Sequence, residues 1–469
     1  MKAARRFMAV TVASLMVFSF MAGCTKSESK PTTQVQATTV EKLKPVTIEF
    51  WSFARWNGIK GTEPDGKTGD WEMDAAKRFM EKYPHVKIDT QIIDSKTGPQ
   101  KLSVAVAGGS APDVLEDANN RFYDYANMGY LLPLDEYVGK DDLSDYETTA
   151  WEMTGIGDGK HYYFPWGVTP QFMLVNKTLF KQAGADNLLP QNKEKTWTRK
   201  EFITALKAAT SKLDGVYGTG IFGDTSTGDS FLLNFLWSGG VKTFDDKLTK
   251  FALNSPKGVE GMKFLKELID QKLVNPGAAG VKITDVNTLF DQQKILTASS
   301  TPLQYSRTIK SMSDGKLPKF EIEAYHLPTG EGEKPATYLH SFGFAVFSNQ
   351  DAYEQKWAVE FAKFLASKEN AAAIKASNAF SPRKSQSGLY DDLKDNNINF
   401  AASIIKYGVD GGISIPGYSQ VRSDWTPTLQ KFMLGKISPE EALKEMELST
   451  NNKVAETKKT LEEQKKQKK

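Results

Sequence analysis

The sequence predicts an α/β fold in which strands and helices alternate to build mostly parallel sheets, divided over more than one domain. Three observations carry this. From Val46 onward, segments with strand spacing alternate with segments of helix spacing. The length, 469 residues, exceeds what one hydrophobic core ordinarily serves. The composition, 40% apolar and 25% charged, is that of a globular protein, and a formal net charge of +3 gives no reason to expect nucleic acid as a partner.

The first element is a leader. Lys2, Arg5 and Arg6 precede a charge-free apolar run from Phe7 to Ala22, and Gly23 leads into Cys24, the only cysteine. The run is short for a membrane span of about 20 residues and has the layout of a secretory signal over 1–23. Its small-small-Cys ending resembles the lipobox of bacterial lipoproteins, with Met21 where Leu is usual. That resemblance implies lipidation of Cys24 and a membrane anchor on the extracellular face of the cytoplasmic membrane. No cysteine is left for disulfides, thiol catalysis or metal binding. Residues 24–45, rich in Ser, Thr, Gln and Lys, read as a flexible tether. At the other end, the lysine-rich 450–469 reads as a solvated basic tail.

Val46, Ile48 and Phe50 alternate with polar neighbours as a first strand, followed by a long loop over 56–70. Inside it, Gly61 to Thr68 spells the letters of a phosphate-binding loop. Two acids, Glu63 and Asp65, would stand in that anion cradle, and Gly69 interrupts the helix start, so nucleotide binding is not expected. Asp70 is a candidate N-cap for a helix carrying Trp71, Ala75, Ala76, Phe79, Met80 and Tyr83, which Pro84 ends. Val86 to Ile92 alternates again, a short helix starts at Pro99, and Pro112 to Leu115 reads as a buried strand. In such sheets functional side chains gather beyond the strand carboxyl ends, here Trp51 to Trp56 and Glu116 to Arg121.

The order of these segments, followed by Gly129-Tyr130-Leu131-Leu132-Pro133-Leu134, resembles the extracellular solute-binding proteins of bacterial ABC importers, within the maltose-binding-protein-like cluster. The likeness continues through Gly159 to Pro165, Asn176 to Phe180, the capping box Thr198/Glu201, Ser255-Pro256, Phe290 to Ala298, Phe342-Gly343-Phe344, Ser381-Pro382-Arg383 and Gly435 to Leu443. It implies a two-lobed, type II periplasmic-binding-protein-like fold. Lobe one would comprise 46–168 with 343–383, and lobe two 169–342 with 384–449. Crossings would fall near Pro165 to Gln171, Ser341 to Phe344 and Ser381 to Ser385. The family further implies closure on a ligand, delivery to membrane permease subunits and action as a monomer.

A pyranose has apolar faces and a hydroxyl rim, so aromatic planes with short polar groups suit it. With nine Trp in the chain, an oligosaccharide is the expected ligand. The candidates are Trp51, Arg55 and Trp56 after the first strand; Asp117, Asn119, Asn120 and Arg121; Trp166 at a crossing; Trp237 at a helix end; Tyr305; and Tyr418, Arg422 and Trp425. In maltose-binding members the equivalents of Asp117, Asn120 and Arg121 are an aromatic, an acid and an arginine, so only the arginine is kept. Each aromatic has an alternative reading as core, and Asp or Asn as a helix cap.

A surface glycoside hydrolase would need two carboxylates about 5–10 Å apart. Glu49, Asp117 and Glu152 can be nominated, but nothing in the sequence pairs them. The four His residues lack metal spacing, and there is no nucleophile-elbow motif. No cofactor or metal is expected. A glycan-binding adhesin or sensor accessory stays open beside the importer receptor.

Overall fold

The computed structural model describes residues 43–94, 96–224, 228–245, 247–412 and 414–467. The leader, Cys24 and nearly all of the tether lie outside them. Ten strands are β1 (Val46–Ser52), β2 (Val86–Ile92), β3 (Val114–Ala118), β4 (Tyr163–Pro170), β5 (Phe172–Asn176), β6 (Tyr217–Gly220), β7 (Ile295–Ser300), β8 (Ile322–Tyr325), β9 (Thr337–Val346) and β10 (Gly408–Val409). They form two sheets, one ordered β2-β1-β3-β9-β10 with β4 also paired to β9, the other β6-β7-β5-β8. This is a two-lobed α/β fold.

In the first sheet the predicted alternation holds: Ile48 and Phe50 are buried while Thr47 and Glu49 are exposed. Helix α1 (Asp70–Lys82) and the helix Ala352–Leu365 cover one face, where Phe50, Phe79 and Phe361 meet edge to face. Helix α2 (Gly98–Ala107) follows β2, and α3 (Asn119–Asn127) starts where β3 ends. Because β1 runs parallel to both β2 and β3, with Ser52 opposite Glu116, the carboxyl ends of β1 and β3 lie side by side. The second sheet departs from parallel pairing: only β6–β7 is parallel, and β5 runs against β7 and β8. Side chains of β5 are buried on both faces, Phe172 and Leu174 on one, Met173 and Val175 on the other.

Local signals behave as their chemistry dictates, with one correction. The N-cap of α1 is Gly69, at φ +95°, and Asp70 is the first helical residue. Asp70 turns back to accept the Lys67 N–H at 2.6 Å, which leaves the cap position to a residue that tolerates positive φ. In the loop before it, the Lys60 and Thr62 N–H groups donate to Glu63, so the phosphate-loop letters form no anion cradle. The capping box Thr198/Glu201 is present, Ser255 accepts from Gly258 N–H, and a further box joins Ser438 to Glu441. From there the last helix, Pro439–Gln467, runs through most of the basic tail. Among the described residues no helix is long and apolar enough to cross a membrane.

Arg383 fastens the segment after Phe380 to the first lobe. Its buried guanidinium donates to Asp142 (2.7 Å), Asp145 (3.3 Å), the Tyr146 hydroxyl (2.8 Å) and the Ala366 carbonyl (3.0 Å). Arg383→Met is expected to cost about 3 kcal/mol, since two carboxylates lose a largely buried partner. The half-exposed pair Arg78–Asp74 is the contrast, and Arg78→Met is expected to cost less than about 1 kcal/mol. Urea unfolding of the two variants measures both.

Candidate ligand-binding cleft

The chain passes between the sheets through two adjoining strands. β4 ends at Pro170 and β5 starts at Phe172, leaving Gln171 alone between them. A polar residue buried at such a point needs partners within the protein, and a closed ring of bonds supplies them for its backbone and its side-chain oxygen. Gln171 N–H donates to the Tyr338 carbonyl (3.1 Å), Tyr338 N–H to Asn234 Oδ1 (2.9 Å), and Asn234 Nδ2 to Gln171 Oε1 (3.0 Å). The Thr337 hydroxyl also donates to the Gln171 carbonyl. Asn234 comes from the helix Gly228–Trp237 of the second lobe, so this ring ties the crossing strands to that lobe.

Beside the crossing lies a cavity of about 620 Å³. Lobe one lines it with Phe53, Ala54 and Arg55 beyond β1 and Asp117 to Arg121 at the β3–α3 junction. Opposite them stand Phe231, Thr301, Leu303, Tyr418 and Arg422, and Thr169, Gln171, Tyr338, His340 and Phe342 line it from the crossing strands. The floor is built from two matching units. Glu116 accepts from Arg55 Nε at 2.7 Å, and the Arg55 guanidinium lies 3.8 Å from the Phe342 ring centre. Asp117, the next residue, accepts from Arg121 Nε and Nη2, and that guanidinium lies 4.4 Å from the Phe53 ring centre. In both, the acid is hidden and the base faces the cavity: side-chain exposure is 1% for Glu116 and Asp117, against 22% for Arg55 and 28% for Arg121.

Behind Glu116, Ser52 Oγ lies 3.3 Å from it and 2.9 Å from Glu72 Oε1, so a hydroxyl bridges two buried acids. Burial, opposed by Arg55 and reinforced by Asp117 and Glu72, pushes Glu116 up to about 7. His340 is driven down to about 4 by burial and then by the charges of Arg55, Arg422 and Arg121, so it is neutral at physiological pH.

Of the sequence-predicted residues, the cavity gathers Arg55, Asp117, Asn119, Asn120, Arg121, Tyr418 and Arg422. It gathers none of the nine tryptophans. Trp51 is buried on the α2 side of the first sheet, under the Lys101 ammonium at 5.1 Å. Trp56 and Trp166 pack with Trp71 in a three-ring cluster, Trp166 stacked on Trp71 at 4.5 Å with its Nε1 donating to the Asn370 carbonyl. Trp237 is buried, donates to Thr243 Oγ1 and borders a different cavity. Trp425 is 0% exposed and donates to Thr450 Oγ1, so it belongs to the core and leaves the ligand set. Its stripe of Val421, Leu429 and Phe432 at helical spacing is the signal that marks it as core.

Tyr305 misses the cavity for a reason of helical phase. In the helix Pro302–Ser313, Pro302, Tyr305, Ser306, Ile309 and Ser313 share a face and line a second, larger cavity of about 1100 Å³, while Thr301 and Leu303 face the first. The Tyr305 hydroxyl donates to Asp395 at 2.9 Å. Charged groups around the larger cavity are paired along its walls, Arg78 with Asp74, Lys375 with Asp392 and Lys310 with Asp314. The nominated acids Glu49 and Glu152 are exposed, and Glu152 borders yet another cavity. The sequence-based candidates do not include Thr169, Phe231, Leu303, His340 or Glu116, although Glu116 opens the strand-end stretch singled out above. For Glu116 a signal existed, because an acid inside the buried strand Val114–Ala118 must have a partner.

Comparison with known proteins places the chain. The model of the bacterial extracellular solute-binding protein family matches residues 64–372. The diacetylchitobiose binding protein DasA of Streptomyces coelicolor is 26% identical over 407 residues, covering 85% of this chain and 89% of that protein. Among solved structures, the cyclic α-maltosyl-1,6-maltose binding protein of Arthrobacter globiformis superposes with a TM-score of 0.72 at 19% identity, over 87% of this chain and 99% of the other. The sugar-binding protein MalE of Xanthomonas citri gives 0.71 at 17% identity, over 89% and 99%.

Glu116 sets a pH dependence of stability. Its folded value of about 7 exceeds the 4.5 of an unperturbed glutamate, so between those values the folded state holds the extra proton. Stability therefore falls as pH rises from 4.5 to 7, by about 3 kcal/mol for this group, and is unaffected by it above 7. Asp113 and Asp124, both raised to about 6, slope the same way. Glu116→Gln is expected to lose part of the slope and keep the rest, as measured by unfolding free energies across that range.

Proposed function

Because this chain belongs to the bacterial extracellular solute-binding proteins, we propose that it is the receptor of an ABC importer, binding an oligosaccharide between its lobes and delivering it to the permease subunits. The observation that carries the reading is the cavity between the lobes, walled by the carboxyl ends of β1 and β3 on one side and by helix residues of the second lobe on the other. It adjoins strands that cross between the sheets, the arrangement required for a hinge that closes on a ligand. The proposed lobes are 46–168 with 343–383 and 169–342 with 384–449, and ligand stabilises the closed form by touching both. Asn119 supports a hydroxyl-rich ligand: its buried Oδ1 has no donor among the described residues.

On this reading the receptor leaves its ligand chemically unchanged, and the acids at the cavity floor serve to hold Arg55 and Arg121. The ATPase of the importer is a separate subunit, and the receptor acts as a monomer. Cys24 carries the lipid, holding the body on the extracellular face of the cytoplasmic membrane through the 24–45 tether, a placement one or two acyl chains sustain.

Two measurements test this. In a thermal-shift and calorimetry screen of oligosaccharides against monosaccharides, amino acids and ATP, a bound oligosaccharide at about a hundred times its dissociation constant should add about 2.7 kcal/mol of stability. It should be recovered unaltered; a response to ATP alone, or a shortened glycan, contradicts the receptor reading. For the anchor, cells fed labelled palmitate should label the protein, and Cys24→Ser should abolish the label and release the protein to the medium. Persistent labelling of that variant would contradict lipidation at Cys24.

A further inference from the structure

Most saccharide receptors that hold a neutral sugar offer its apolar face an aromatic plane and its hydroxyls a mixture of donors and acceptors. This cleft does neither in full. No tryptophan lines it, and two of its rings, Phe53 and Phe342, have guanidinium groups lying over them at 4.4 and 3.8 Å. The acids that hold those guanidiniums are almost wholly hidden, so the charge each unit turns toward the cavity is positive. Arg55 uses only Nε on Glu116, leaving its two Nη groups for the cavity among the described residues; Arg121 uses Nε and Nη2 on Asp117, leaving Nη1. Arg422 adds a third guanidinium to the lining, and the charges acting on His340 from within the cleft are those three.

We propose that the oligosaccharide is acidic: a uronic-acid-containing glycan whose carboxylate is received by the Nη groups of Arg55 and Arg121. Planar N–H forks match carboxylate geometry and make charge-assisted hydrogen bonds, stronger than those to a hydroxyl. Partial burial beside apolar rings strengthens them by excluding water. The buried acids set the position of each fork. This proposal rests on the receptor reading and names the class of its ligand.

The experiment is calorimetric titration of the purified protein with short oligomers from polygalacturonate, alginate and glucuronoxylan, each beside its carboxyl-reduced counterpart, which keeps linkage and shape but removes the charge. Maltooligosaccharides and chitooligosaccharides serve as neutral controls. At least one acidic series is expected to bind, at least tenfold more tightly than its reduced form, with affinity falling as salt rises. Arg55→Gln should weaken that binding at least tenfold while the protein keeps its circular dichroism and thermal transition. Binding of a reduced or neutral oligomer as tight as or tighter than any acidic one overturns the proposal and leaves the receptor reading standing. Absence of binding to every saccharide overturns both. The reduced ligands make the result independent of whether the variant folds.

Discussion

Everything in this fold depends on passing the chain between two sheets through a buried point without stranding a polar group. Gln171, one residue between β4 and β5, is where that happens, and its backbone groups and side-chain oxygen are satisfied by Tyr338, Asn234 and Thr337. Backbone groups left unpaired there would each cost about 1–3 kcal/mol. The ring is small and its bonds run between the two crossing strands and one helix, so the sheets on either side remain separate packed bodies. That separation is what creates a cleft between them.

The second constraint is electrostatic. Two consecutive acids at the end of β3 alternate sides, as strand residues must, so Glu116 meets Arg55 and Asp117 meets Arg121. Buried carboxylates need paired charges, and these two obtain them from residues that also reach the cavity. Aromatic rings under both guanidiniums limit their freedom. The cleft is thereby preorganised, which lowers the ordering cost of binding.

The strand and helix framework of the first lobe was legible because its signals are local: alternation in β1 and β2 and helical spacing in α1; the Thr198/Glu201 box of the second lobe is a local signal of the same kind. The polar lining of the candidate cleft was legible too, since side chains gather beyond parallel strand ends, and Arg55 and the 117–121 segment stand there. None of the expected tryptophans lines that cavity. An aromatic in a predicted loop, such as Trp56, is drawn into a neighbouring cluster that only tertiary packing reveals. Trp425 could have been placed from its helical stripe. Tyr305 required the phase of a helix whose first turn begins at Pro302, a shift of two residues from Leu303 that sequence spacing leaves open. Cys24 and the leader lie outside the described residues, so their reading rests on sequence.

The central claim is that the two lobes close on a saccharide about the Gln171 crossing. Distances between spin labels test it most directly, because replacing Cys24 leaves no native thiol in the chain. Labels at Lys77→Cys on α1 and Lys316→Cys after the helix Pro302–Ser313 sit on exposed positions of opposite lobes. With a saccharide shown to bind, pulsed electron resonance should give a shorter and narrower distance distribution than without it. An unchanged distribution at saturating ligand would contradict closure and the account built on it.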